Sequence, residues 1–300
     1  MKIIALVPVK NEEWCLEYCL KSLSFADLII AIDDNSTDST VTILKKYNCL
    51  IIPFQTNTSI GWKEYEIRTE LLKQARECGA THIISLDADE SCSEEFQKNA
   101  RNIFEKLQPG QSLELEWLNL CSKTTYKEPQ IFKTFAYCDD KISVYEKGFI
   151  GIPRVPDTGV EPLKIIDKNF IFHYQFIDKE RCTYKQIWYM VSELLKKERS
   201  ARKINNMYSH TKSFTCKEIL DSGMRPTSLP QINSNNIWQK EEILKKFTEH
   251  GIETFESLDI WQVKELEEIF FKKTGRKPKP KKFPGWLVRL NDIKNKIKNR

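Results

Sequence analysis

The sequence predicts an α/β fold, a mostly parallel sheet flanked by helices, with a helical appendage towards the C-terminus. Three observations carry that expectation. Over about ninety residues, apolar runs suited to buried strands alternate with segments of helical periodicity, and that order makes a parallel sheet by connectivity alone. Two of the strands end abruptly in acids, Asp33 with Asp34 and then Asp87 with Asp89. After residue 233 the strand signals stop and two helical patterns remain.

Each element follows from its residues. Residues 2–9 form a continuous apolar run containing Pro8, as expected of a central strand that breaks into a loop. Trp14, Cys15, Leu16, Cys19, Leu20 and Leu23 then recur at helical spacing, and Asn11, Glu12 and Glu13 stand where acids complement the positive end of a helix. Residues 28–32 are a second strand. Ser36 or Thr37 is placed to cap the next helix, which runs through Lys46. Residues 49–53 make a third strand, residues 55–61 a polar loop, and a helix through about residue 75 leads into THIISLDADES at residues 81–91. Further on, a helix over 93–107 and a strand over 113–120 are expected.

The stretch at 81–91 is the centre of the functional reading. Ile83, Ile84 and Leu86 belong in a sheet, where unpaired charge is costly, so Asp87 and Asp89 belong in the solvent crevice at the strand's carboxyl end. Parallel strands point their carboxyl ends one way, which brings the acids after the second strand to the same edge. For Asp33, Asp34 and Asp38 taken singly, helix capping is the competing reading. Two hard oxygen ligands on a short turn suit Mg²⁺ or Mn²⁺ with positions open for a diphosphate. The residues thus predict a metal-dependent transferase with a nucleotide-activated donor.

The runs VPVKNEE, IDDNSTDST, IRTELLKQA and IISLDADE, in that order and strand context, resemble the inverting family 2 glycosyltransferases of GT-A fold. The resemblance covers roughly residues 1–96. It implies that Pro8, Asn11 and Asp34 hold the nucleobase, that Arg68 reaches the nucleotide, that Glu12 orders the site, that Asp87 meets the ribose, and that Asp89 holds the metal on the diphosphate. His173, in the later strand FIFHYQF, resembles a histidine that completes the metal or diphosphate shell of related enzymes. A packing histidine among Phe170, Phe172, Tyr174 and Phe176 is the other reading. An acceptor hydroxyl must also be deprotonated by a carboxylate, for which Glu161 and Asp140 are the candidates, with Asp157 behind them. Arg154 is either a contact to phosphate or acceptor, or a solvated loop residue.

These readings divide the chain into a nucleotide-sugar-binding half (1–120), an acceptor-binding half (121–206), a helical appendage (207–271) and a basic amphipathic tail (272–300). Within them, a helix is expected over 184–204, and helical patterns over 238–250 and 258–271. The role of the appendage has no signature in the sequence.

Composition bounds the rest. Three hundred residues, 40% apolar, can bury a sizeable core, which excludes a chain disordered throughout. The formal charge of +5 averages two unlike parts, since residues 272–300 carry twelve Lys or Arg against Asp292 alone. Within that tail Phe283, Trp286, Leu287, Leu290, Ile293 and Ile297 fall along one helical face among lysines. Docking on an anionic membrane surface, packing on the protein's own body and nucleic-acid binding are the three readings. No basic-aromatic module supports the last, so nucleic acid is not an expected partner. Nine cysteines are scattered without zinc-type spacing, and Cys15 with Cys19 reads as a pair of small core residues of a reducing cytoplasm. The opening run is too short for a signal peptide, and no apolar run approaches the ~20 residues that span a bilayer. The expected setting is cytoplasmic, with peripheral contact to the inner face of a membrane.

Three rivals remain at this level. A haloacid dehalogenase-type phosphatase would place its D-x-D-x-S after the first strand, whereas here it follows the fourth. A nucleotidyltransferase of related fold would want a glycine- and arginine-rich phosphate loop after the first strand, where VPVKNEE stands. A non-catalytic sugar-nucleotide-binding or membrane-associated protein would be marked by loss of an acid from D-A-D, and both are present. The sugar, nucleobase and acceptor, a glycan or glycolipid on the transferase reading, have no spacing rule. Removal of residues 272–300 is expected to lower co-sedimentation with anionic vesicles, and equal binding would eliminate membrane docking.

Overall fold

The run IIALVPV is apolar at every position because the strand it forms has neighbours on both edges and helices on both faces. In the computed structural model, which describes residues 1–55, 63–148, 151–208, 214–232 and 237–279, this strand is β1 (Ile3–Val9). It pairs in parallel with β2 (Leu28–Asp34) on one side and β4 (His82–Ser85) on the other, and β3 (Leu50–Phe54) extends the sheet beyond β2. Ile3, Ala5, Val7 and Val9 pack with α1 (Leu16–Ser22), with Leu44 of α2 (Thr40–Lys46) and with Phe96 and Phe104 of α4 (Glu94–Phe104). Ile4 and Leu6 pack on the opposite face with Ile67, Leu71 and Ala75 of α3 (Glu64–Glu77). Pro8 is tolerated because the pairing with β4 has already ended at Leu6↔Ser85, so its missing N–H costs no ladder bond there.

Beyond β4 the sheet becomes mixed. β8 (Ile131–Cys138) runs antiparallel to β4 and to β6 (Ser112–Asn119), and β10 (Phe170–His173) is parallel to β6. β5 (Glu90–Cys92), a short strand directly after the acids that sequence reasoning missed, closes the row antiparallel to β10. β9 (Leu163–Lys164) adds to β6, for nine strands among the described residues. Strand direction decides which residues meet. β4, β6 and β10 all point the same way, so Ser85, Asn119 and His173 end at one edge, while Cys138 at the end of β8 pairs with His82 at the opposite edge.

A separate ribbon joins β7 (Thr125–Lys127) to β11 (Cys216–Glu218), and a disulfide links Cys121 to Cys216 across it. That bond departs from a purely thiol reading of the cysteines, and its partners stand 95 residues apart, beyond any spacing rule. Cys15 and Cys19 remain thiols, buried in the core.

The chain divides into two units, Met1–Asp178 with Thr215–Asn233, and Lys179–Phe214 with the chain from Ser234 onward. The second is helical. α5 (Lys179–Lys196) and α6 (Ala201–Met207) replace the single helix expected over 184–204. Lys197 adopts φ 59° and the Ser200 hydroxyl accepts from the Lys203 amide, so the polar KKERS run ends one helix and caps the next. α7 (Trp238–His250) matches its expected span, whereas the pattern expected over 258–271 becomes helical only from Lys264, as α8 (Lys264–Thr274), which follows a 3₁₀ turn (Ile252–Phe255) and is closed by Gly275 in the left-handed region. Trp188 on Trp238 and Phe247 on Phe255 build its core.

The polar loop expected over 55–61 lies mostly outside the described residues, as do Phe283, Trp286, Leu287, Leu290, Ile293 and Ile297 of the tail. Among the described residues no helix is long and apolar enough to cross a membrane. Ser93 ties α4 to β10: its hydroxyl accepts from the amides of Phe96 and Phe170 and donates to the carbonyl of Lys168. Ser93→Ala is therefore expected to cost about 1–2 kcal/mol, seen as a lower urea midpoint with an unchanged slope.

Candidate active site

β4 hands the chain to a tight turn at the sheet's carboxyl edge. The Leu86 amide still donates to the carbonyl of Leu6, after which the Asp87 amide donates to Glu90 Oε2 (2.9 Å) and the Glu90 amide to the carbonyl of Asp87 (3.0 Å). The D-A-D-E run is thus folded on itself, and Glu90, opposite His173 in the β5–β10 register, is wholly buried.

Burying carboxylates requires counter-charge, and two arginines supply it. Arg68 on α3, 2% exposed, donates through Nε and Nη2 to Glu64 Oε1 (3.0 and 2.8 Å), through Nη2 to Asp87 Oδ1 (2.9 Å) and through Nη1 to Ser85 (3.2 Å). Arg154 donates through Nη2 to Asp87 Oδ2 (2.7 Å), through Nε to Glu90 Oε2 (3.0 Å), and also to Glu90 Oε1. Asp87 is therefore held by one guanidinium on each oxygen. Burial opposes the charge on both arginines, but Asp87 with Glu64, and Asp87 with Glu90, outweigh it and hold both above the ordinary guanidinium range. Glu64 also accepts from the Gly151 amide (2.8 Å), which anchors the loop that carries Arg154.

Asp89 points to a different partner. Its Oδ2 lies 3.4 Å from His173 Nε2, both side chains being about nineteen-twentieths buried. His173 stacks on Trp117 with ring centroids 4.4 Å apart, and its Nδ1 is 2.6 Å from Asn119 Oδ1. A carbonyl oxygen only accepts, so Nδ1 donates to Asn119, and Nε2 is the ring nitrogen turned towards the carboxylate. Among the described residues no cluster of three or more His, Cys, Asp or Glu stands ready to enclose a metal. One carboxylate oxygen and one imidazole nitrogen fit an ion that takes its other ligands from substrate oxygens and water.

The remaining predicted residues sit around β1 and β2. Asp34, 1% exposed, pairs with Lys10 Nζ at 3.1 Å. Asn11, at φ 52°, donates its amide to Ser36 Oγ (2.8 Å) and accepts from the Thr37 amide through Oδ1 (2.7 Å). Ser36 and Thr37 therefore stitch two loops together and do not cap α2, correcting the sequence expectation. Asp33 accepts from the Ser36 amide, while Asp38 accepts from the amides of Thr40 and Glu13. Glu12 donates its amide to Thr40 Oγ1 and accepts from Trp14 Nε1 at 2.7 Å. Of the three acids in this element, Asp34 is the one that forms an ion pair with a lysine across the two strand ends.

Asp140 and Glu161 are not at this crevice. Asp140 follows Cys138, whose partner His82 begins β4, so it lies at the opposite edge, about five strand residues or 16 Å from Asp87. It is spent on local bonds: the Ser143 hydroxyl and the amides of Ser143 and Ile142 hold it below the usual carboxylate range although burial acts upward. The carbonyl of Glu161 accepts from Gln111 beside the start of β6, at the same far edge, and Thr158 next to Asp157 bonds the carbonyl of Gly110. Acids after a strand whose direction is unassigned carry no signal of the edge they reach, whereas those ending the strands of a parallel, helix-connected run do.

Sequence reasoning also passed over Glu64, Glu90, Trp117 and Asn119. Two had signals: Glu64 stands four residues before Arg68 on one helix face, and Asn119 is a polar residue ending a strand that points the same way as β4. Arg154, left open between two readings, proves to be a buried partner of the acids.

Comparison with known proteins bears on the same region. Residues 4–110 match the model of the family described as Glycosyl transferase family 2. An uncharacterized glycosyltransferase of Rickettsia bellii is 23% identical over 257 residues, covering 85% of this chain and 80% of that protein. A counterpart in Rickettsia conorii is 22% identical over the same length. Among solved structures, S. aureus TarS 1-349 aligns with 91% of this chain and 92% of its own at 17% identity and a TM-score of 0.39. The chain spans 43% of the longer TarS chain.

Arg154→Met is expected to destabilise the protein by about 3–5 kcal/mol, because it strands Glu90 as a buried charge. Adding Glu90→Gln should recover part of that loss, giving a coupling of about 1–3 kcal/mol in a denaturation cycle; strictly additive costs would show that this pair does not hold the turn.

Proposed function

We propose that this chain, a glycosyltransferase whose residues 4–110 belong to glycosyl transferase family 2, moves a sugar from a nucleoside-diphosphate donor to an acceptor hydroxyl with inversion at the anomeric carbon. The observation that carries the reading is the Asp89–His173 pair, set at the sheet's carboxyl edge next to an Asp87 fixed by two buried arginines. Glycan, polysaccharide or lipopolysaccharide assembly is the setting we propose for it.

Pro8, Asn11 and Asp34 lie at the ends of β1 and β2, where a nucleobase would rest, and the Lys10 pair sets the orientation of Asp34. Asp87, the more open of the two D-A-D acids with its side chain 34% exposed, faces the ribose. Arg68 is buried behind it and acts as a positioning residue that keeps one carboxylate oxygen fixed. Asp89 Oδ2 and His173 Nε2 would hold Mn²⁺ or Mg²⁺, which when bound supplies positive charge to a departing diphosphate. Asn119 fixes the histidine's tautomer and Trp117 its plane, as the outer partners of metal-binding imidazoles do.

Thermal denaturation with UDP-, GDP-, CMP- and dTDP-sugars, each with and without Mn²⁺, tests the donor site, because a ligand bound only by the native state raises the transition by mass action. One nucleotide should raise it, and only with metal; no shift with any of them argues for the non-catalytic alternative. Asp89→Ala should abolish transfer while keeping the wild-type circular dichroism, and unaltered turnover in that variant would sink the mechanism.

A further inference from the structure

Lys133 enters the same region from β8, opposite Leu115 of β6. Its ammonium lies 3.5 Å from the centroid of the Trp117 ring, the ring on which His173 stacks. The Arg154 guanidinium is 5.4 Å from that ring too. Two cations and the imidazole thus share one indole. Their commitments differ: Arg154 is spent on Asp87 and Glu90, whereas the Lys133 ammonium makes no hydrogen bond or ion pair among the described residues. Burial and the neighbouring Arg154 push its ammonium down to about 8, although Glu90, Asp87 and Glu64 pull the other way. The oxygens of those three acids that face the network are already held by Arg68 and Arg154. An ammonium carries three donors, and a half-buried one without an acceptor gains most from an anion brought to it.

We propose that Lys133 binds a phosphate oxygen of a substrate beside the Asp89–His173 pair, across the face of Trp117. The inference rests on the transferase reading, which supplies two sources of that phosphate, the donor's diphosphate and a phosphorylated acceptor. Aromatic packing alone would be served as well by methionine, and a charge would not be needed.

The test uses the full chain as wild type, Lys133→Met, Lys133→Arg and Asp89→Asn, with thermal midpoints recorded to show that each is folded. Inorganic pyrophosphate with Mn²⁺ is titrated by calorimetry. Lys133→Met should weaken its binding by about tenfold or more, and Lys133→Arg by less than about threefold, if the contact is to the donor. Inorganic phosphate is then added to protein saturated with Mn²⁺ and pyrophosphate; a second binding event lost only in Lys133→Met assigns the contact to the acceptor. Wild-type affinity of Lys133→Met for both ions overturns the proposal, and if Asp89→Asn still weakens pyrophosphate the donor reading survives it. A wild-type protein that binds neither ion overturns both.

Discussion

Everything at the carboxyl edge of the sheet depends on matching three buried or half-buried carboxylates with counter-charge where a strand runs out. Glu64, Asp87 and Glu90 come from a helix and a four-residue turn, and two guanidiniums, one from that same helix and one from a distant loop, bind them into a single network. An ion pair in a low-dielectric setting repays its desolvation only when geometry and remaining hydrogen bonds are nearly complete. Here they are: Asp87 has one arginine per oxygen, and Glu90 takes Arg154 and a backbone amide. With Asp87 immobilised, Asp89 two residues on is delivered to His173.

The network also separates tasks that look identical in the sequence. Asp33, Asp34 and Asp38 lie within six residues of one another, yet Asp33 takes the Ser36 amide through one oxygen, Asp38 takes the amides of Thr40 and Glu13, and Asp34 is matched to Lys10. The same division recurs at Asp87 and Asp89, where one acid is clamped by arginines and the next faces the imidazole of His173. Fixed dipoles and charges arranged before any substrate arrives are what lower a barrier that consists of charge moving onto a leaving group.

The alternation of apolar runs and helical periods made the first four strands and their helices legible, because burial on both faces leaves no polar position to confuse the period. Asp34, Asp87, Asp89 and Arg68 were legible for the same reason, each being tied to the end or flank of such an element. His173 was half legible: the strand was visible, but its pairing with β5 and β6, which decides what the imidazole faces, depends on contacts far apart in the chain. Asp140 and Glu161 failed because β8 is antiparallel, so the loop after it returns to the wrong edge, and nothing local in YCDDK announces direction. Arg154 was legible only as a loop arginine with two readings, and Lys133 had no local mark at all. What they face, the acids after β4 for Arg154 and the Trp117 ring for both, comes from other strands.

The Cys121–Cys216 bond makes the chain between those residues a closed covalent ring, and α5 and α6 lie inside it. The ring leaves the sheet-bearing unit after Asp178 and returns to it at Thr215. A protease that cuts once anywhere between the two cysteines would therefore open a loop without releasing a fragment. Only a reductant added afterwards would let the two pieces part.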